Sequence, residues 1–460
     1  MTDMLQIPDE LVGIADAPDV LVFPAEEGWD GARQAWNLTV DQRPAAVALP
    51  RTARDVCKVV RWARTRGLRV AAQGTGHNAM PLGELDEVVL VKTHLMRQVA
   101  IDVEAQVARV QAGVTWGEVV AAAGEHGLAA LAGSSHDVGV VGYSLGGGMS
   151  FLSRRYGLAA NRVLAVELVN SDGELIRADR RNHPELFWAL RGGGGSFGVV
   201  TALEFELIDM PTVYAGAMFF PIERASEVLH AWRRWTTTAP DTVTSVGRLL
   251  RFPPMPDIPE PMRGRSFALI EVVSTEGEET AALLTAPLRE LGPEMDTTAT
   301  IPTQDLIHLH MDPPGPVPGV GDHQLLAELP AEAVDALVGA AGPEVDTSIL
   351  TYEIRHAGGA IARHSAGNGA LSGIDAPYVT FGAAIAMTPE MAAAGKADLA
   401  KVRAAMAPWD AGREYLNFAE HRGTDPARFY DEDAYARLRV VKGEVDPEDV
   451  FAGNHHIRPL

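Results

Sequence analysis

The sequence predicts an α+β protein. Two observations predict it. Short strand-like runs rich in valine and alanine alternate with segments of helical periodicity, and three glycine-rich stretches each stand beside a strand-like run. With 460 residues, 47% of them hydrophobic, the chain is long enough for two or three domains with cores of their own.

Residues 1 to about 45 read as an entry segment of short elements. Thr52 can cap a helix with Asp55 at its third position, and Val56, Val59, Val60 and Ala63 then recur at helical spacing until Gly67 closes the helix. Leu68 to Ala72, Val88 to Val91 and Val107 to Gln111 read as strands. Thr115-Trp116-Gly117-Glu118 forms a capping box for a helix ending near Gly127. Further on, Ala225 to Thr237 and Pro389 to Met406 read as helices among strand-like runs, one of them Ile349 to His356.

Composition narrows the function. A net charge of −22 argues against nucleic acid and anionic membrane as partners. No apolar run is long enough to span a bilayer, and Met1 to Glu10 lacks the basic-then-apolar build of a signal peptide, so a cytoplasmic protein is expected. The single cysteine, Cys57, lies on a predicted helix as a small core residue. It excludes an intramolecular disulfide, a cysteine metal cluster and a redox pair.

The organising stretch is Gln73-Gly74-Thr75-Gly76-His77-Asn78, which follows a strand directly. Glycines let the backbone approach a ligand closely, and successive exposed N–H groups can cradle a pyrophosphate. Gly74, Gly76 and Ala79 fit the spacing of a Rossmann fingerprint, but that fingerprint needs a helix opening at once, and Pro81 and Gly83 punctuate a loop instead. The reading is a dinucleotide loop that also supplies a covalent or catalytic imidazole. The second stretch, Val138-Gly139 through Gly142, Tyr143, Gly146, Gly147 and Gly148, has little room for bulky side chains, as expected of backbone packed on a flat ligand. In the third, a short helix opening at Pro184 leads into Gly192 to Gly195, then Phe197, Gly198 and a strand through Val199 and Val200.

Together these motifs resemble the FAD-linked oxidoreductases of the p-cresol methylhydroxylase and vanillyl-alcohol oxidase type. The likeness is greatest to their berberine-bridge-enzyme-like branch, including 6-hydroxynicotine oxidase-like members. Tyr415-Leu416-Asn417-Phe418 and the closing segment with Asp446, Pro447 and Phe451 resemble the family's C-terminal signatures. The resemblance implies a two-part FAD-binding domain, residues 1–207 with a returning segment 412–460, and an inserted antiparallel-sheet substrate domain at 208–411. His77 is similar to the histidine that carries the flavin through its 8α-methyl carbon. A second link in many relatives comes from a cysteine at the position that Ser135 holds here, so a single covalent bond is expected. Gln73 stands where arginine is common, which leaves the phosphates to backbone amides. The resemblance assigns cofactor contacts to Gln73, Gly74, Thr75, Gly76, Asn78, Ser134, Ser135, Val138, Gly139, Gly142, Tyr143, Gly147, Gly148, Gly198, Val199, Val200, Asn417 and Asn454.

Oxidation requires hydride transfer to the flavin and removal of an O–H or N–H proton. Tyr415 and Asn417 share one face of a strand by alternation, and the resemblance places that face at the flavin. On the run from Ile349 to His356, Thr351, Glu353 and Arg355 line one face and Tyr352, Ile354 and His356 the other; which face looks at the flavin stays open. Tyr415, Asn417, Glu353, Arg355 and Tyr143 are the catalytic candidates, and Glu353 with Arg355 reads equally as an ordinary ion pair. No lysine occurs between Lys92 and Lys396, which excludes a lysine base in the substrate domain. His308 and His310 would face one way on a strand, but no third ligand has metal-site spacing, so no metal is expected. The resulting expectation is an FAD-dependent oxidase acting on an alcohol or amine carbon of a small, largely apolar substrate, with O₂ reduced to H₂O₂. A dehydrogenase with another acceptor, a carbohydrate oxidase, an NADPH-consuming reductase and a silent flavin-binding protein remain as alternatives.

Overall fold

The computed structural model describes residues 18–256 and 258–460; the reading of Met1 to Glu10 and the start of the entry segment lie outside the described residues. The first sheet has five strands in the order Leu21–Val22, Ala46–Ala48, Val88–Lys92, Arg69–Gln73 and Phe451–Ala452. Its three inner neighbours run parallel, and Phe451 pairs in parallel with Val70. Val88–Lys92 is buried along its whole length, as a central parallel strand covered on both faces must be. The helix Ala53–Arg64 opens on the capping box expected of it. Thr52 Oγ1 accepts from the Asp55 N–H at 3.2 Å and Asp55 accepts from the Thr52 N–H at 3.0 Å. Its buried stripe, Val56, Val59, Val60 and Ala63, packs with Val70, Val89 and Phe451.

A second sheet of five antiparallel strands follows: Val99–Asp102, Val107–Gln111, Val199–Glu206, Val163–Val169 and Leu175–Asp179. The third sheet has eight antiparallel strands, with Ile349–His356 between Val243–Arg251 and Tyr378–Ile385. The helices Ala225–Thr236, Ala331–Ala341 and Pro389–Met406 pack on one face of it. Tyr352 and Ile354 are in that helix-covered core beside Trp232 and Val402. Alternation therefore turns Thr351, Glu353 and Arg355 to the face away from the helices. That opposite face meets the remainder of the chain: Ala215, Val246 and Val273 pack against Phe151 and Leu152, just after the second glycine stretch.

The second glycine stretch differs from expectation. Read from its glycines as a loop, it contains a helix, Val140–Leu145, which starts after extended Gly139 and ends at Gly146. Val140 and Leu145 are buried in the core, so burial of its few apolar side chains outweighs the glycine cost over this one turn and a half.

Candidate active site

The strand Arg69–Gln73, between two neighbours in the first sheet, delivers the loop Gly74–Asn78 from its C-terminal end. None of the backbone N–H groups from Gly74 to Asn78 has a backbone acceptor among the described residues. Such a run of unspent donors is a nest for an anion. Gly76 has φ +88°, and a Cβ there would lie 3.0 Å from Ala35 Cβ, so this turn requires glycine. The Trp36 N–H donates to the Thr75 carbonyl at 3.0 Å and fixes the loop from outside.

His77 is held on three sides. Nδ1 lies 2.7 Å from Thr75 Oγ1, Nε2 lies 3.2 Å from Asp137 Oδ1, and the Trp36 ring stacks on the imidazole at 4.0 Å. The Trp36 indole N–H donates to the other Asp137 oxygen at 2.5 Å, and Ser135 Oγ donates to Asp137 at 2.9 Å. Burial raises the Asp137 pKa, but the hydrogen bonds from His77 and Trp36 outweigh it and hold the carboxyl at about 2. The Asp137 carboxylate thus offers an acceptor at Nε2, and the Thr75 hydroxyl lies at Nδ1. Sequence reading missed Trp36 and Asp137. Asp137 lay in plain view, one residue before the Val138-Gly139 signature; Trp36 reaches the site only through the fold.

The predicted residues around the second glycine stretch converge. Asn417 Nδ2 donates to the Tyr143 carbonyl at 2.9 Å and lies 3.3 Å from the Tyr415 hydroxyl. A Cβ at Gly146 would lie 1.8 Å from Asn417 Oδ1, and one at Gly148, which has φ +74°, would lie 2.5 Å from Tyr143 Cε1. The glycines are thus the room in which Tyr143, Asn417 and Tyr415 sit. Asn78 Nδ2 donates to the Leu416 carbonyl at 2.9 Å and Asn454 donates to the Asn78 carbonyl, so the first loop and the C-terminal segment are laced together. Tyr415 and Asn417 do not share a strand face, as alternation suggested. Residues 416–418 form a turn, the Phe418 N–H donating to the Tyr415 carbonyl at 3.0 Å, and the two side chains meet because a turn folds them onto one side. Burial pushes both phenols, Tyr143 and Tyr415, well above the usual tyrosine range, so both stay protonated. Ser134, predicted as a cofactor contact, donates to Asp312 at 2.9 Å. Val199 and Val200 are buried at the start of their strand. At Gly198 a Cβ would meet Leu168 Cδ1 at 2.7 Å, so that glycine is required by packing within the second sheet.

On the polar face of the eight-stranded sheet the residues Glu353 and Arg355 belong to a buried cluster. Arg355 Nε donates to Glu353 at 2.8 Å, and its guanidinium lies over the Phe418 ring at 5.0 Å. His310 lies between two carboxylates. Nδ1 is 2.7 Å from Glu271, and Nε2 is 2.6 Å from Glu353, the latter an ion-pair contact out of line for a good hydrogen bond. Arg248 completes the group at 3.2 Å from Glu271. Glu353 is 1% exposed; burial opposes its charge, but Arg355 and His310 overcome that and hold it ionised, far below the usual range. The expected strand pairing of His308 and His310 does not occur. Residues 303–308 form a 3₁₀ turn, and His310 goes to the carboxylates of the sheet. Among the described residues no group of histidine, cysteine, aspartate and glutamate is placed to hold a metal. Sequence reading also missed Glu420. Burial pushes its carboxyl up to about 7, beside the Gly321 N–H at 3.0 Å.

The cluster sets a pH dependence. Burial and Arg248 oppose a charge on His310, yet Glu271 and Glu353 raise its pKa to about 9. A pKa raised on folding adds stability that is complete below the unfolded value of about 6.5 and is lost as pH rises through about 9. Denaturant midpoints should therefore fall between pH 7 and 9.5, and His310→Gln should remove that slope while lowering stability at pH 7. A slope unchanged in the variant would assign it to another group.

Residues 44–179 match the family described as FAD binding domain. The unspent N–H run and the positive-φ glycine fit the pyrophosphate of that cofactor. Residues 44–179 of the chain thus carry an FAD-binding domain, and the chain spans less than half the length of the first curated relative it matches. It is 37% identical over 191 residues to (R)-6-hydroxynicotine oxidase of Paenarthrobacter nicotinovorans, a stretch covering 42% of this chain and 42% of that enzyme. It is 28% identical over 455 residues to an uncharacterised FAD-linked oxidoreductase of Bacillus subtilis, covering 95% of this chain and 98% of that one. Its fold is similar to that of the crystal structure of 6-hydroxy-D-nicotine oxidase from Arthrobacter nicotinovorans, with a TM-score of 0.81 at 26% identity over 96% of this chain and 98% of that one. Among the described residues, no helix is long and apolar enough to cross a membrane.

Proposed function

We propose that the chain is an FAD-dependent oxidase that takes a hydride from an alcohol or amine carbon of a small, largely apolar substrate. The observation that carries this reading is the junction itself: the unspent N–H run ends at His77, and the Tyr143–Tyr415–Asn417 group interlocks with the glycines that follow. In this reading residues 1–207 with 412–460 hold the cofactor and 208–411 the substrate. FAD, when bound, supplies the two-electron acceptor, with dioxygen as final oxidant and H₂O₂ as product.

The side chains divide the remaining work. His77 holds the flavin covalently and alone, since Ser135 occupies the place of a second link and its hydroxyl is engaged by Asp137. Tyr143 and Tyr415, kept protonated, are hydrogen-bonding groups at the reacting centre rather than phenolate bases. Glu353 cannot readily accept a substrate proton, because Arg355 and His310 stabilise its charge; it positions Arg355 over Phe418. The flanking Phe381 and Phe418 rings, 5.1 Å apart, give the site its apolar character.

The test is the fate of the electrons. In air, H₂O₂ should appear one-for-one with substrate oxidised, with no added acceptor. Turnover that requires a dye or quinone and yields no peroxide would instead make the chain a dehydrogenase.

A further inference from the structure

Lys92 is a buried cation that pairs with no carboxylate among the described residues. It ends the strand Val88–Lys92, in register beside Gln73 on the neighbouring strand, and is 5% exposed. Its ammonium donates to the Gln34 carbonyl at 2.7 Å and to Gln73 Oε1 at 2.7 Å, both neutral acceptors. Gln73 is itself steadied by its Nε2 donating to Gln42 Oε1 at 3.0 Å. Burial lowers the Lys92 pKa to about 8, with no carboxylate opposing the shift. Charged groups taken out of water persist when they are paired, and an ammonium has three protons to place, of which two are used here.

The second observation lies one residue away. The loop that begins after Gln73 presents the N–H groups of Gly74 to Asn78 with no backbone acceptor among the described residues. An unbalanced cation and a run of unspent donors at the ends of two adjacent parallel strands call for the same thing, an anion with several oxygens. Gln73 cannot supply charge to it.

We propose that Lys92 is the counter-charge for the pyrophosphate of FAD, held under the glycine loop by Gln34 and Gln73. The proposal rests on the FAD reading and adds to it a residue that no sequence signature marks. Lys92 then stabilises the bound form at the expense of the free one, because its charge is balanced only when the anion is present.

The test uses the full chain in a His77→Ala background, stripped of flavin so that binding is reversible, with FAD and riboflavin as probes. Riboflavin shares the ring and lacks the phosphates. Lys92→Met should weaken FAD by about 10- to 100-fold, the range of one charge-assisted hydrogen bond, and leave riboflavin unchanged. Lys92→Arg should keep FAD affinity within a few-fold of the parent. The flavin-free Lys92→Met protein should unfold at the same temperature as its parent or higher, since it no longer buries an unpaired charge. A parallel loss of FAD and riboflavin, or a lower unfolding temperature of the flavin-free variant, would make Lys92 a scaffold residue and overturn the proposal, as would unchanged FAD affinity. Lys92→Gln, which keeps a polar group toward Gln34, repeats the comparison should the Met variant fold poorly. A parent that binds neither flavin would overturn the FAD reading itself.

Discussion

His77→Ala is expected to abolish flavin retention under denaturing conditions. Native protein unfolded in acid or SDS should keep yellow fluorescence on the polypeptide and show an intact mass larger by one FAD. The alanine variant should release its flavin completely. The physical basis is the geometry around the ring. Asp137 at 3.2 Å from Nε2 and Trp36 stacked at 4.0 Å fix the orientation of the ring, and Nδ1 is the nitrogen that would form the proposed bond. Thr75 Oγ1, 2.7 Å from Nδ1, must turn aside for that bond to form. Cys57, on the helix Ala53–Arg64, is buried enough that its thiol is pushed above its ordinary pKa, so Cys57→Ser should change nothing. Fluorescence that washes out of the native chain would remove the covalent link while leaving the FAD domain intact.

The second large effect is expected far from the reacting groups. Lys442, on the C-terminal helix Glu432–Val445, is 0% exposed and lies 2.5 Å from Asp446, itself 0% exposed. Its ammonium also donates to the Ser196 carbonyl at 2.7 Å and the Phe451 carbonyl at 3.1 Å. Asp446 in turn accepts the N–H groups of Val450 and Phe451, each at 2.9 Å. This pair ties the third glycine loop, the last helix and the strand beside Arg69–Gln73 into one unit. Asp446→Ala leaves the buried ammonium only the partly exposed Asp449, 3.1 Å away, and strands the Val450 and Phe451 N–H groups, which costs roughly 3 kcal/mol. The thermal midpoint should drop by several degrees and the flavin content of purified protein should fall with it, because the strand that leads to His77 loses its neighbour. The double variant Lys442→Met/Asp446→Leu should recover much of the stability. A midpoint within a degree of the parent for Asp446→Ala would show that water reaches the pair.

Several features were legible without coordinates because their causes are local. A capping box needs only residues three apart, and Thr52 with Asp55 formed as read. Period-two alternation put Glu353 and Arg355 on one strand face, though only the packing of Tyr352 and Ile354 under the helices showed which face was turned inward. The glycine loop of His77 was readable because positive φ and bare backbone leave one residue type available. Errors arose where chain continuity was mistaken for shape. Tyr415 and Asn417 meet across a turn instead of along a strand, and the second glycine stretch closes into a short helix because its valines and leucine find a core.

The sequence by itself determined the fold class, the loop that bears His77 and the glycine stretch that packs under Tyr143 and Asn417, all consequences of backbone freedom and short-range patterning. The tertiary structure alone decided the charges. Asp137 reaches His77 across 60 positions of chain, Gln73 meets Lys92 across 19, and Glu353 is engaged by a histidine that sequence spacing had placed on a strand of its own. Electrostatic interactions depend on separation in space and on burial, and neither quantity is written in the order of residues.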